Sequence, residues 1–122
     1  MTSMQDTYNE LTENRELLSK LIKSLQTINR NLAQAEFEYR KQYSSTSIRI
    51  KLDGVKKGDK KTGPVAWTKT GDIARGLPEV AKLRLERDTL QGEKEAIMQK
   101  IYQTKIEIDL LQKEMEAISK GE

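Results

Sequence analysis

At 122 residues, with 35% hydrophobic and 34% charged side chains, the chain has the length of one folded unit but too little apolar material for a thick monomeric core. It has no cysteine, which excludes disulfides and thiolate metal sites, and no histidine, which removes the commonest general base and metal ligand. Aromatic residues at 5% argue against an all-β sandwich, and the balance points away from an enzyme.

The opening MTSMQDTYNEL lacks the basic and apolar regions of a signal peptide. No apolar run approaches the roughly 20 residues that cross a bilayer. The expectation is a soluble, cytoplasmic protein with no membrane partner.

From 5 to 43 the apolar residues keep a three-four spacing: Leu11, Leu18, Leu21, Leu25, Ile28, Leu32, Ala35 and Tyr39. That is the heptad pattern of a long helix with one apolar seam. A second helix is predicted over 78–119. Pro78 suits a first helical position, where its missing N–H would have had no partner, and Glu79 favours the positive end of the helix dipole. Its seam reads Val80, Leu83, Arg87, Leu90, Lys94, Ile97, Ile101, Thr104, Ile108, Leu111, Met115 and Ile118. Three of these are polar. Arg87, Lys94 and Thr104 either fix register at some cost in stability or mark a solvated stretch. Gly92 lies among them and weakens a helix interior. Ile106 and Leu110 fall off the seam and predict a second contact surface, hence a homo-oligomer, dimer or tetramer.

Residues 44–77 differ from both flanks. In SIRIKLD, Ile48, Ile50 and Leu52 alternate with Arg49, Lys51 and Asp53; in PVAWTKT, Val65 and Trp67 alternate with Ala66 and Thr68. Two short strands joined by the loop GVKKGDKKTG are predicted. The fold expected is thus mainly α: two long antiparallel helices in a coiled-coil hairpin, with a small basic β-hairpin insert, assembled as an oligomeric helical bundle within a single domain.

Charge is partitioned. Between 44 and 77 stand eight basic residues (Arg49, Lys51, Lys56, Lys57, Lys60, Lys61, Lys69, Arg75) and three acids (Asp53, Asp59, Asp72), a local charge of +5. The other 14 basic and 16 acidic residues leave −2, so the formal +3 is a basic insert on mildly acidic helices. An anionic partner explains this; so does a turn kept hydrated by lysines. Gly58–Gly63 has the outer spacing of a P-loop, but Pro64 and Val65 stand where Lys and Ser/Thr are required, which rejects that motif.

Candidate phosphate ligands are Lys56, Lys57, Lys60, Lys61, Lys69 and Arg75, with Gly76 letting a ligand near the backbone just before the second helix. Ordinary helix capping is the competing account of Arg75 and Gly76. Trp67 could stack on a base or pin the insert onto the helices. No metal site and no cofactor are implied.

Three stretches, AEFEYRKQY (35–43), TGDIARGLPEVAKLRLERD (70–88) and EIDLLQKEMEAI (107–118), carry a resemblance. With the core R-G-x-P-E-V-A-x-L, they resemble small uncharacterised helical proteins from the early regions of tailed bacteriophages. Those relatives have a shorter connector, so the lysine-rich insert departs from the pattern. The resemblance implies a phage setting, in the cytoplasm of an infected bacterium, and no functional residue is carried over. In that setting the expected function is a counter-defence sponge that sequesters a nucleotide immune signal. A nucleic-acid-binding accessory to recombination or replication, or a protein-protein inhibitor of a host defence complex, is the alternative.

Overall fold

The computed structural model describes residues 3–54, 56–57, 60–61 and 66–121, with the backbone alone for Lys56, Lys57, Lys60, Lys61, Trp67 and Thr68. The chain is mainly α. Helix α1 runs over Met4–Asp53, α2 over Trp67–Gly76 and α3 over Pro78–Gly121, and the two-residue strands β1 (Lys56–Lys57) and β2 (Lys60–Lys61) lie between α1 and α2.

The ends of α1 follow from local chemistry. Ser3 caps its start: the Asp6 N–H donates to Ser3 Oγ at 3.1 Å and the Thr7 N–H to the Ser3 carbonyl at 3.0 Å. At the other end Gly54 takes φ 78, the left-handed conformation that glycine adopts without penalty. Its N–H donates to the Ile50 carbonyl at 2.9 Å and closes the helix.

Helix one therefore continues ten residues past its predicted end, and the strand predicted over 48–53 is helix. The alternation misled because period-two spacing does not require strand. The helix buries Ile50, one turn on from buried Thr46, and leaves Ile48 and Leu52 exposed. The second predicted strand is corrected likewise, since Trp67–Thr70 opens α2; Pro64 and Val65 lie outside the described residues. What pairs instead is the lysine-rich centre, antiparallel, with Lys56 opposite Lys61 and Lys57 opposite Lys60.

Between α2 and α3 stands one non-helical residue. Leu77 is extended (φ −74, ψ 140), as the residue before a proline is driven to be. Its N–H donates to the Ala74 carbonyl at 3.2 Å. Its carbonyl accepts from Val80 at 3.1 Å and Ala81 at 2.9 Å, so the same residue closes α2 and opens α3. Pro78 holds the first position of α3, as predicted.

The chain divides into two compact units, Met1–Asn29 with Gly92–Glu122, and Arg30–Gln91. In the first, Thr7, Leu11 and Leu21 of α1 and Ile101, Thr104 and Leu111 of α3 are buried. The second buries Thr46 and Ile50 of α1, Thr70 and Ala74 of α2 and Val80 of α3. Contacts between Glu36 and Arg87 and between Arg49 and Glu79 show that α1 and α3 run antiparallel within this second unit.

Every seam position read from the sequence is buried or half-buried, in both long helices. On α1 the same three-four spacing extends to Thr7, Asn14, Gln42 and Thr46, polar residues that an apolar pattern passes over. Two of the polar seam positions on α3 have evident solutions. Thr104 donates its hydroxyl to the Lys100 carbonyl at 2.7 Å, and Arg87 reaches across to α1.

Candidate functional site

The best-defined polar constellation lies within the second unit, where α1 presents Tyr39 and Tyr43 one turn apart. Their ring centroids are 6.1 Å apart and tilted by 30°. Each ring carries a guanidinium. Arg75 of α2 lies over Tyr43 at 5.5 Å from the centroid, and Arg87 of α3 over Tyr39 at 4.4 Å. The negative face of an aromatic ring attracts a cation in this position. The ladder of two rings and two arginines thus ties all three helices together.

Carboxylates hold the arginines in place. Arg75 Nη1 donates to Asp72 Oδ1 at 2.8 Å. Arg87 Nη2 donates to Asp88 Oδ1 at 2.9 Å and its Nε lies 3.5 Å from Glu36 Oε2. The hydrogen bonds to Asp88 raise the Arg87 pKa above its already high ordinary value, against the opposing effect of burial.

Gly71 makes the approach of α2 to Tyr43 possible. A Cβ there would stand 2.6 Å from the Tyr43 hydroxyl oxygen, closer than side chains tolerate. One turn beyond Tyr43, Ser47 has a buried hydroxyl oxygen without a hydrogen-bond partner.

The start of α3 is already provided with an anion. The Glu79 carboxyl is held below its usual range, first by a hydrogen bond from its own backbone N–H and then by Arg49. Arg49 Nη2 donates to Glu79 Oε1 at 2.9 Å. Capping thus accounts for this helix start, because the charge that the dipole attracts belongs to the chain itself.

The candidate ligand residues are placed as follows. Arg75 and Gly76 form the last turn of α2, where the sequence suggested an open approach to the next helix. The space beside Gly76 is open, with no atom within 4 Å of where a Cβ would stand. Lys69 is exposed on α2 six residues before Arg75, so about a third of a turn separates them around the helix axis. Lys56, Lys57, Lys60 and Lys61 are brought together by the strand pairing; their side chains lie outside the described residues. Trp67 is the first residue of α2, and its stacking or anchoring role likewise falls outside the described side chains.

Tyr43 and Gly71 are not among the residues to which the sequence points; Arg49 is, but only as a strand position and one of eight basic side chains, and Tyr39 and Arg87 only as seam positions. The available signal was the four-residue spacing of two tyrosines near the end of a helical pattern. Nothing in the sequence says which arginine meets which ring.

Among the described residues no group of three or more carboxylate, histidine or cysteine side chains could hold a metal ion, and no helix is long and apolar enough to cross a membrane. The chain matches no family model, and no curated protein and no solved structure resembles it significantly.

Proposed function

We propose that this is a non-enzymatic binding protein whose basic segment, residues 44–77, captures a phosphate-bearing small ligand such as a nucleotide. One observation carries the reading: the strand register sets Lys56 opposite Lys61 and Lys57 opposite Lys60. Like charges directly opposite one another destabilise a strand pair, and a bound polyanion removes that cost. The local charge of +5 concentrates the attraction in this segment. Lys69 and Arg75 on α2 supply further cations, and Trp67 supplies a face on which a base stacks.

The resemblance to phage early-region proteins gives the setting: a counter-defence protein in the cytoplasm of an infected bacterium that sequesters a nucleotide immune signal. In this reading the long helices associate as a coiled-coil oligomer, a dimer or tetramer, through apolar surface left outside the seam.

The test is calorimetric titration of a panel of mono-, di- and cyclic nucleotides, with inorganic phosphate as reference, beside native mass spectrometry of protein from bacterial lysate. Lys60→Ala combined with Lys61→Ala should weaken capture at least tenfold with helicity unchanged. If no nucleotide binds and no nucleotide-sized mass is retained, the small-ligand reading fails. The same lysines also suit a nucleic-acid backbone. That second reading gains if single-stranded DNA binds with an affinity that falls steeply with salt. Ligand-free protein that also ignores DNA would leave an acidic protein surface as the partner.

A further inference from the structure

Four large apolar side chains stand in one row along α3, off its buried seam. Met98, Tyr102, Ile106 and Leu110 are spaced four residues apart and are 49%, 63%, 43% and 55% exposed. Together they leave about 400 Å² of side-chain surface in one strip, enough to mark an interaction site when contiguous.

The row is symmetric about position 104: Tyr102 and Ile106 lie two residues to either side, Met98 and Leu110 six. One pair of charges on this face has the same centre, with opposite signs. Glu95 and Lys113 lie nine residues to either side. The 18 residues separating them make five full turns at 3.6 per turn, so both project along the same direction as the middle of the row.

We infer that this face binds a second copy of the chain, antiparallel, about a twofold axis at the level of residue 104. The inference rests on the oligomeric part of the proposed function and assigns its interface. A twofold makes an isologous contact, each pair occurring twice. Met98 then meets the partner's Leu110, Tyr102 the partner's Ile106 and Glu95 the partner's Lys113. From 95 to 113 this superposition sets no charge against its like. In-register parallel pairing would set every charge against itself.

Lys113 is available for the exchange. Its pairing with Asp109 at 3.1 Å is between two exposed side chains, an interaction worth little. The two apolar strips contribute about 800 Å². That is below the roughly 1,200 Å² of a standard specific interface, so the flanking polar side chains must add to it and the association is weak and concentration-dependent.

The experiment is sedimentation equilibrium of the full chain from about 1 to 200 μM, at low and high salt, with circular dichroism to follow helicity. The wild type should reach at least twice the 14.0 kDa chain mass. Tyr102→Glu with Ile106→Glu should be monomeric, or lose one step of association if the wild type is a tetramer, with helicity kept. Glu95→Lys should weaken association about tenfold at low salt, and adding Lys113→Glu should restore it to within about twofold.

A wild type that stays monomeric throughout overturns the inference and the oligomeric reading together. An oligomer indifferent to the double glutamate substitution, or not restored by the charge exchange, overturns this interface and leaves the oligomeric reading standing. Nucleotide titration of the same variants reports separately on the ligand.

Discussion

Replacing Gly71 with alanine pits two calculable effects against each other. Alanine in a helix interior is favoured over glycine by about 1 kcal/mol. At Gly71 the added methyl would stand 2.6 Å from the Tyr43 hydroxyl oxygen, while the next atoms, Tyr43 Cζ at 3.7 Å and Arg75 Nη2 at 3.8 Å, are at ordinary contact. The hydroxyl must retreat by about 0.8 Å to reach van der Waals distance, and the ring it belongs to lies under Arg75 and beside Tyr39. Overpacking of this kind costs about 1–3 kcal/mol, so the net effect of Gly71→Ala is a loss of roughly 1 kcal/mol. At about 2.1 cal/mol/K per residue for 122 residues, that lowers Tm by ~4 °C. Because the conflict involves one oxygen, Gly71→Ala in a Tyr43→Phe background should instead stabilise by about 1 kcal/mol. The assay is thermal and urea denaturation of the four variants, followed by circular dichroism at fixed protein concentration. A Gly71→Ala protein as stable with Tyr43 as with phenylalanine would refute the placement of that hydroxyl against Gly71.

Gly92→Ala is the companion in open space: no atom lies within 4 Å of its Cβ position, and Tm should rise by ~4 °C. A double-mutant cycle with Arg87→Met and Tyr39→Leu should give a coupling of about 1 kcal/mol, since the Arg87 side chain is 24% exposed and the contact is intermediate between free and desolvated cation–π pairs. The coupling should persist in 0.5 M salt, whereas a value inside the roughly 0.3 kcal/mol scatter of independent sites would break the ladder as described. Glu79→Gln should lower stability at pH 7 by no more than about 0.5 kcal/mol, because Glu79 and Arg49 are 40% and 56% exposed. The folded-state pKa of Glu79 lies below its ordinary value of 4.5, so its contribution is complete above that pH and is lost as pH falls through the depressed value. Melting curves of the two proteins from pH 7 to pH 2 should therefore converge at the acid end, and a constant difference would refute the linkage.

The long helices were legible because burial on them repeats with the sequence period. Leu11 and Leu21, or Ile101 and Leu111, announce one face, and polar Arg87, Lys94 and Thr104 kept their places in it. The 44–53 stretch reads as strand because Ile48, Ile50 and Leu52 satisfy period two, while what makes it helix is a buried threonine at 46 and a glycine stop at 54. A threonine carries no pattern signal, and Gly54 reads equally as a turn. The Tyr43–Arg75 and Tyr39–Arg87 contacts join residues 32 and 48 positions apart, chosen by how the helices pack. The one-residue spacer at Leu77 was partly visible through Pro78, but that Arg75 and Gly76 are helical depends on a helix of ten residues that alternation concealed.

That spacer has a consequence for exchange with solvent. Leu77 donates one hydrogen bond into α2 and accepts two from α3, so no peptide unit between the helices can open without disturbing both. The end of α2, with Arg75, and the beginning of α3, with Glu79, therefore belong to one cooperative opening unit. Deuterium uptake at the Leu77, Val80 and Ala81 amides should proceed together, and any ligand that steadies Arg75 should slow all three.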